Sequence, residues 1–389
     1  MPGKNKVAAR PLQPIISNFN LRMAIEAVSP QTQTASTVFP HLSEFDHEQV
    51  VFCNDNDTGL KAIIGIHDTT LGPALGGTRF YNYPNDQDAL VDVLRLSRGM
   101  TYKAAISGLN LGGGKAVIIG DPRKIKNEGL MRRFGKFVDN LNGKYITAED
   151  VGITVQDMSW VHQETNHVTG IPESIGGSGN PSPVTAYGIY LGMKAAANKK
   201  FGSDSLEGKR IIVQGVGSVG SHLINHLNKE NAKLFVFDIW EEAVKRAVEA
   251  TGAKVISAEE VYTTEADIYS PNALGATLNP DTIPQLNVQV VAGGANNQLL
   301  DELRDGKALE ERGILYAPDF LINAGGLINV YTEIEGYNRE RAMDRCEGIY
   351  QKTLEVLDYA QENAKAPQAA ALELAQQRLQ TMARMQRYI

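Results

Sequence analysis

Apolar residues recur at two different periods along this chain, and the change of period predicts where its elements lie. Residues 50–54 and 60–67 are short, β-rich apolar runs separated by a turn signal, and they read as strands. Over 86–100 the apolar positions are Leu90, Val93, Leu94, Leu96 and Met100, a helical spacing. Residues 116–120 read as another buried strand. Residues 127–142 read as a helix with Leu130, Phe134, Phe137, Val138 and Leu141 on one face. Gly176, Gly177, Gly179, Pro181 and Pro183 then crowd together, which marks a domain boundary between 170 and 183. An alanine-rich helix is expected over 184–200.

Beyond it, apolar runs at 210–214, 233–238, 254–256, 267–270, 288–292 and 314–317 alternate with helical stretches. That alternation predicts a parallel sheet covered by helices on both faces. From residue 321 a long helical region is expected to run towards the C-terminus. The fold class is therefore α/β with two domains, the second a doubly wound parallel sheet.

The first of those later strands opens a specific motif. Residues 210–214 lead into Gly215-Val216-Gly217-Ser218-Val219-Gly220, a helical stretch follows, and the next strand ends on Asp238. This is the strand–turn–helix setting in which Gly-x-Gly-x-x-Gly binds a dinucleotide. Gly215 permits the tight turn, Gly217 lets backbone approach a pyrophosphate, and Gly220 lets helix and strand pack closely. The helix N-terminus offers unpaired N–H groups to the phosphates. Asp238 can accept hydrogen bonds from ribose hydroxyls and repels a 2′-phosphate, so NAD is expected over NADP. A glycine-rich turn that binds nothing is the alternative. Trp240, just beyond, is read as cover for the sheet edge, with adenine stacking as the other option.

In the first half two lysines stand in unusual settings. Lys103 closes Arg98-Gly99-Met100-Thr101-Tyr102-Lys103 after a helix, and Lys115 follows Gly112-Gly113-Gly114 directly before a strand. Three consecutive glycines cost entropy and make sense where a ligand approaches the chain closely. An enclosed lysine can serve in catalysis, whereas most lysines are solvated surface groups. Asp150, at a strand end beside Val151-Gly152, is a candidate general acid/base or a turn-capping aspartate.

Composition removes several classes. The net charge is −7, from 38 basic and 45 acidic residues in 389, which gives no reason to expect nucleic acid or an anionic membrane as partner. Cys53 and Cys346 are the two cysteines, too few for a disulfide framework or a zinc site, and no metal-ligand or Ser/His/Asp constellation is present. A reducing, cytoplasmic setting is expected. Residues 1–36 carry Lys4, Lys6, Arg10 and Arg22 against Glu26 and read as a disordered extension, with a transit peptide as the alternative.

Five stretches carry a resemblance: Gly72-Pro73-Ala74-Leu75-Gly76-Gly77-Thr78-Arg79, Gly99-Met100-Thr101-Tyr102-Lys103, Gly108-Leu109-Asn110-Leu111-Gly112-Gly113-Gly114-Lys115, Ala148-Glu149-Asp150-Val151-Gly152 and Asn323-Ala324-Gly325-Gly326. In that order they resemble the glutamate/leucine/phenylalanine/valine dehydrogenase family over about residues 37–389. The resemblance implies reversible NAD-dependent oxidative deamination of an amino acid to a 2-oxo acid and ammonia, in a cleft between two domains. It assigns 37–172 with 366–389 to substrate binding and oligomerisation and 173–365 to a Rossmann domain. By the same resemblance, Lys103 binds the α-carboxylate, Lys115 polarises the carbonyl oxygen and activates water, and Asp150 shuttles protons. Gly76 and Gly77 contact substrate, Thr185 and Asn296 hold the nicotinamide end of the cofactor, and Asn323 binds the cofactor.

Leu75, Ala148, Leu327 and Val330 match the positions that line the side-chain pocket. Glutamate-specific relatives carry lysine where this chain has Leu75, and an acidic side chain there would be desolvated and unpaired. Branched-chain substrates are therefore expected. Phenylalanine on the same scaffold, and a non-catalytic homologue, are the alternatives; intact Lys103, Lys115 and Asp150 speak against the last. Leu327 is bulkier than the valine common in leucine-specific relatives, and Asn272 stands where many relatives have cysteine. A homo-oligomer, an octamer, is also implied.

Overall fold

The computed structural model describes residues 38–386. The extension over 1–36 lies outside the described residues. Two sheets form, one on each side of the glycine–proline segment. The first combines β1 (Gln49–Asp55), β2 (Leu60–Asp68), β3 (Ala74–Tyr81), β4 (Gly112–Ile119) and β5 (Tyr145–Glu149) in the order β1-β2-β4-β3-β5. The β1–β2 and β2–β4 pairs are antiparallel, whereas β3 is parallel to both β4 and β5.

The second sheet holds β6 (Arg210–Gln214), β7 (Lys233–Phe237), β8 (Lys254–Val255), β9 (Ile268–Pro271), β10 (Val290–Val291) and β11 (Leu315–Tyr316). Its order is β11-β10-β9-β6-β7-β8, parallel throughout. This is the doubly wound arrangement, whose chain reversal lies between β6 and β9.

Of the helices, α1 (Val38–Phe45) precedes the first sheet and α2 (Asp86–Ile106) covers it. The Asn85 side chain caps α2 by accepting from Asp88 N–H, and Asp86 and Asp88 favour its first turn. Ala89, Leu90, Val93 and Leu94 bury one stripe of α2. The second half carries α3 (Ser182–Phe201), α4 (Ser218–Lys229), α5 (Asp319–Ile322), α6 (Gly325–Ile334), α7 (Arg339–Glu362) and α8 (Pro367–Gln386). α3 is buried nearly all round. Gly192 lets it lie against Ile322, where a Cβ would come within 2.2 Å of that side chain.

Five points of the sequence reading change. The expected helical region beyond 321 is broken into α6, α7 and α8, the interruptions falling at Gly336 (φ +83°) and at Pro367. Residues 74–81, unassigned from the pattern, form β3, an interior strand between β4 and β5. Lys115 sits inside β4 rather than before it, and Lys103 lies in the last turn of α2 rather than beyond it. Trp240 is 72 % exposed and covers no sheet edge.

α8 returns to the first half. The Arg378 guanidinium donates to the carbonyls of Ala105, Gly108 and Leu109 at the C-terminal end of α2. The connecting segment is tied as well: Gly170 and Ser178 N–H both donate to Glu333 Oε2, at 2.9 and 2.8 Å. Among the described residues no helix is long and apolar enough to cross a membrane.

Candidate active site

Strand register explains why four of the singled-out residues share a face. Leu75 pairs with Gly113 on one side and Ile146 on the other, and Gly77 pairs with Ala148. Lys115 precedes Ala116, the partner of Thr78, so it falls level with Gly77. Paired residues and residues two apart point the same way. Leu75, Gly77, Lys115, Ile146 and Ala148 therefore face one side together.

Glycine is required here by neighbours. A Cβ on Gly113 would lie 2.1 Å from Thr101 Oγ1, so α2 seats directly on the strand. A Cβ on Gly76 would lie 1.7 Å from the Gly114 carbonyl oxygen. The Gly76 carbonyl itself accepts from the buried Tyr145 hydroxyl at 2.7 Å.

The buried Lys115 ammonium lies 2.6 Å from Asp150 Oδ2. Arg79 approaches the same oxygen, Nε to Oδ2 3.4 Å, while its Nη1 reaches Asp92 Oδ2 at 2.9 Å. Burial alone pushes the Asp150 carboxyl up. The Lys115 and Arg79 cations outweigh it and hold the group well below the usual carboxylate range. The pair is thus a charge-assisted contact in a desolvated place.

Lys103 faces the second domain. Its Nζ donates to Asn296 Oδ1 at 3.1 Å, across 193 residues of sequence. Asn323 Nδ2 donates to that same oxygen at 2.9 Å and to the Gly294 carbonyl at 3.2 Å. Burial lowers the Lys103 ammonium to about 8, with Asp319 and Asp150 opposing the shift and Lys115 adding to it. Asp319, which the sequence pattern did not single out, lies buried beneath this contact. Its carboxylate accepts from Gln298 N–H (3.0 Å) and Phe320 N–H (2.7 Å), and burial raises it. Its signal would have been the Pro318-Asp319 step after a strand, which is a helix start anywhere.

The apolar candidates also converge. Leu75, Leu327 and Val330 are at most 7 % exposed and belong to one cluster with Ile146 and Val184. Ala148 is buried beside them on β5. Ile146 was missed because an alternating strand does not reveal from sequence which face meets the cleft.

The glycine turn fits a dinucleotide. Gly215 has φ +93°, and a Cβ on Gly220 would lie 2.0 Å from the Gly215 carbonyl oxygen, so both glycines are demanded by the turn. A Cβ on Gly217 would meet nothing within 4 Å, so the protein itself has room there. No side chain caps the start of α4, which leaves the N–H groups around Ser218 and Val219 open to an anion. The Ser218 hydroxyl touches that of Ser182 at the start of α3, 2.7 Å away. Asp238 accepts from Val216 N–H at 2.8 Å at the end of β7. Thr185, in the first turn of α3, packs on Gly326, where a Cβ would lie 2.8 Å from its Oγ1. Asn323 Oδ1 is buried with no hydrogen-bond partner, an acceptor suited to an amide donor.

A dinucleotide-type turn in the second half and a buried lysine–aspartate pair in the first, with Lys103 bonded to Asn296 between the halves, are the parts of a two-domain dehydrogenase. The sequence signature described as Glu/Leu/Phe/Val dehydrogenase, dimerisation domain, matches residues 47–167. That of Glutamate/Leucine/Phenylalanine/Valine dehydrogenase matches 176–238 and 236–387. The chain belongs to this family of amino-acid dehydrogenases, which use a nicotinamide dinucleotide. It is 58 % identical over 345 residues to a leucine dehydrogenase of Bacillus cereus, covering 89 % of this chain and 94 % of that one. It is 57 % identical over 347 residues to that of Bacillus subtilis strain 168, covering 89 % and 95 %. The L-tryptophan dehydrogenase structure from Nostoc punctiforme superposes with a TM-score of 0.79 at 44 % identity, covering 90 % of this chain and all of that one.

Proposed function

We propose that this protein catalyses the NAD-dependent, reversible oxidative deamination of L-leucine and related branched-chain L-amino acids to 2-oxo acids and ammonia. The observation that carries this reading is the Lys115–Asp150 pair, 2.6 Å apart, with Lys115 on the same sheet face as buried Leu75 and Ala148. Lys103 takes the α-carboxylate through a charge-assisted bond. Gly76 and Gly77 border the substrate with backbone alone. Lys115 polarises the carbonyl oxygen in one direction and activates the attacking water in the other. Asp150 holds and returns protons at the amine and at the carbinolamine oxygen.

Leu75, Ala148, Leu327 and Val330 form the side-chain pocket, and none could pair with a substrate carboxylate. When bound, the nicotinamide dinucleotide supplies the acceptor for the hydride that leaves the α-carbon. Thr185, Asn296 and Asn323 orient its nicotinamide end; Gly215, Val216, Gly217, Ser218, Val219 and Gly220 take its pyrophosphate. The Asp238 carboxylate favours NAD over NADP. Residues 37–172 with 366–389 act as the substrate domain and 173–365 as the nucleotide domain of a cytoplasmic homo-octamer.

The test is reduced-nicotinamide formation with L-leucine, L-isoleucine, L-valine, L-phenylalanine and L-glutamate, each with NAD and with NADP. Fastest turnover of an aliphatic substrate with NAD is expected. Fastest turnover of phenylalanine would overturn the pocket argument, and preference for NADP would overturn the role of Asp238.

Lys103 gives a pH prediction. It is half charged at about pH 8, so its charge is nearly complete a unit below and largely lost a unit above. Affinity for a branched 2-oxo acid should therefore be constant at lower pH and weaken by about tenfold per unit above that value. Dissociation constants measured by titration from pH 6 to 10 would decide this, and a flat profile would remove Lys103 as the carboxylate partner.

A further inference from the structure

Arg79 lies on β3, two residues beyond Gly77, and its mostly buried guanidinium is divided between two carboxylates. One arm faces Asp150 Oδ2, as described above. The other is held by Asp92 on α2, whose Oδ2 also accepts from the Tyr83 hydroxyl at 2.6 Å. Asp92 and Tyr83 together fix the guanidinium in place, and they leave its Nε arm for Asp150.

That division matters for the chemistry proposed above, on which this step rests. A lysine whose ammonium turns to the substrate carbonyl oxygen or to the attacking water cannot be a constant counter-ion. In each half-cycle in which Lys115 is so engaged, Asp150 loses part of that compensation. A buried carboxylate without a cation is strongly disfavoured. A guanidinium remains protonated throughout the working pH range, and it does not take part in proton exchange. We infer that Arg79 is the positioning residue of this site, anchored by Asp92 and Tyr83, and that it is the permanent counter-ion fixing Asp150 while Lys115 is engaged with the reacting oxygen. Arg79 touches no reacting atom in this scheme; it acts through Asp150.

The experiment uses the full chain with NAD and its best amino-acid substrate. Arg79→Met should lower kcat by about 100-fold while KM changes by less than about threefold, because the charge-stabilised proton carrier is lost and the binding groups stay. Arg79→Lys should recover about tenfold of that loss, since it restores the charge without the fork. Added guanidinium ion should raise the turnover of Arg79→Ala, an effect that a scaffold role would not produce. Asp92→Asn loosens the anchor and should lower kcat by about tenfold with NADH binding unchanged.

Wild-type kcat in Arg79→Met would overturn the inference. So would an Arg79→Lys no better than Arg79→Met together with no guanidinium rescue. If the Arg79 variants do not fold, Asp92→Asn decides: unchanged kcat there overturns the inference, and a selective kcat loss supports it. An unsubstituted protein that turns over no amino acid would instead sink the dehydrogenase reading itself.

Discussion

Replacing Lys115 with alanine is expected to cut kcat by about 10³- to 10⁴-fold, roughly 4–5 kcal/mol of transition-state stabilisation. The size follows from the setting. The Lys115 side chain is 8 % exposed, so bulk water does not readily replace its ammonium. It is also the cation nearest Asp150, at 2.6 Å against 3.4 Å for Arg79. Removing it takes away both the polarising charge and one of the two supports of the carboxylate. The fold should survive, because Arg79 still compensates Asp150 and β4 keeps its neighbours β2 and β3. NADH affinity and thermal midpoint should therefore stay close to those of the parent. Rapid turnover in a folded Lys115→Ala, within tenfold of the parent, would refute the central role given to this lysine.

Of the residues proposed for the chemistry, Lys115 could be picked out because it follows three glycines, a composition costly without a purpose, while the roles proposed for it, for Lys103 and for Asp150 came from the resemblance. What could not be read was the local structure around them. Gly76 and Gly77 weaken any strand signal, yet they lie in β3; their need for small size comes from the Gly114 carbonyl and from Asp150, both distant in sequence. Gly112, Gly113 and Gly114 suggest a flexible loop and instead form strand, because Asp68, Thr101 and Tyr145 press on the three positions where a Cβ would stand. The second domain was more transparent, since its strands alternate with helices and its glycine turn has local requirements.

Partnerships were the least visible part. Arg79 lay in a quoted motif, but its meaning depends on Asp92, 13 positions away, and Asp150, 71 positions away. Glu333 and Asp319 accept mainly from backbone N–H groups, and such partners leave no residue-type signature. Lys103 and Asn296 were each named for a role, but their direct bond across the cleft could come only from the packing of the two domains. On the role proposed for Lys103, a carboxylate arriving there would take over a donor now bonded to Asn296, so substrate binding and domain contact would be coupled at one ammonium.

A single methyl group tests the geometry without touching any functional group. Gly77→Ala would place a Cβ 2.6 Å from the Glu149 carbonyl oxygen and 2.9 Å from Asp150 Cβ. Neither neighbour is the flexible end of a long side chain, so β3 and the end of β5 must part. Overpacking of this kind costs about 1–3 kcal/mol of stability. The displacement falls directly on Asp150, and a shift near 1 Å in a positioned group can cost about 100-fold in rate. Gly77→Ala is therefore expected to lower kcat by about 100-fold while every charged group remains present. NADH affinity should be unchanged, because the glycine turn lies in the other domain. Gly217→Ala provides the opposite case: its Cβ meets nothing within 4 Å of protein, so the fold should tolerate it and the loss should appear in dinucleotide affinity. Steady-state kinetics with thermal midpoints on both variants separates the two. If Gly77→Ala keeps kcat within threefold of the parent, the strands have slack, and the position of Asp150 is set by its ion pairs alone.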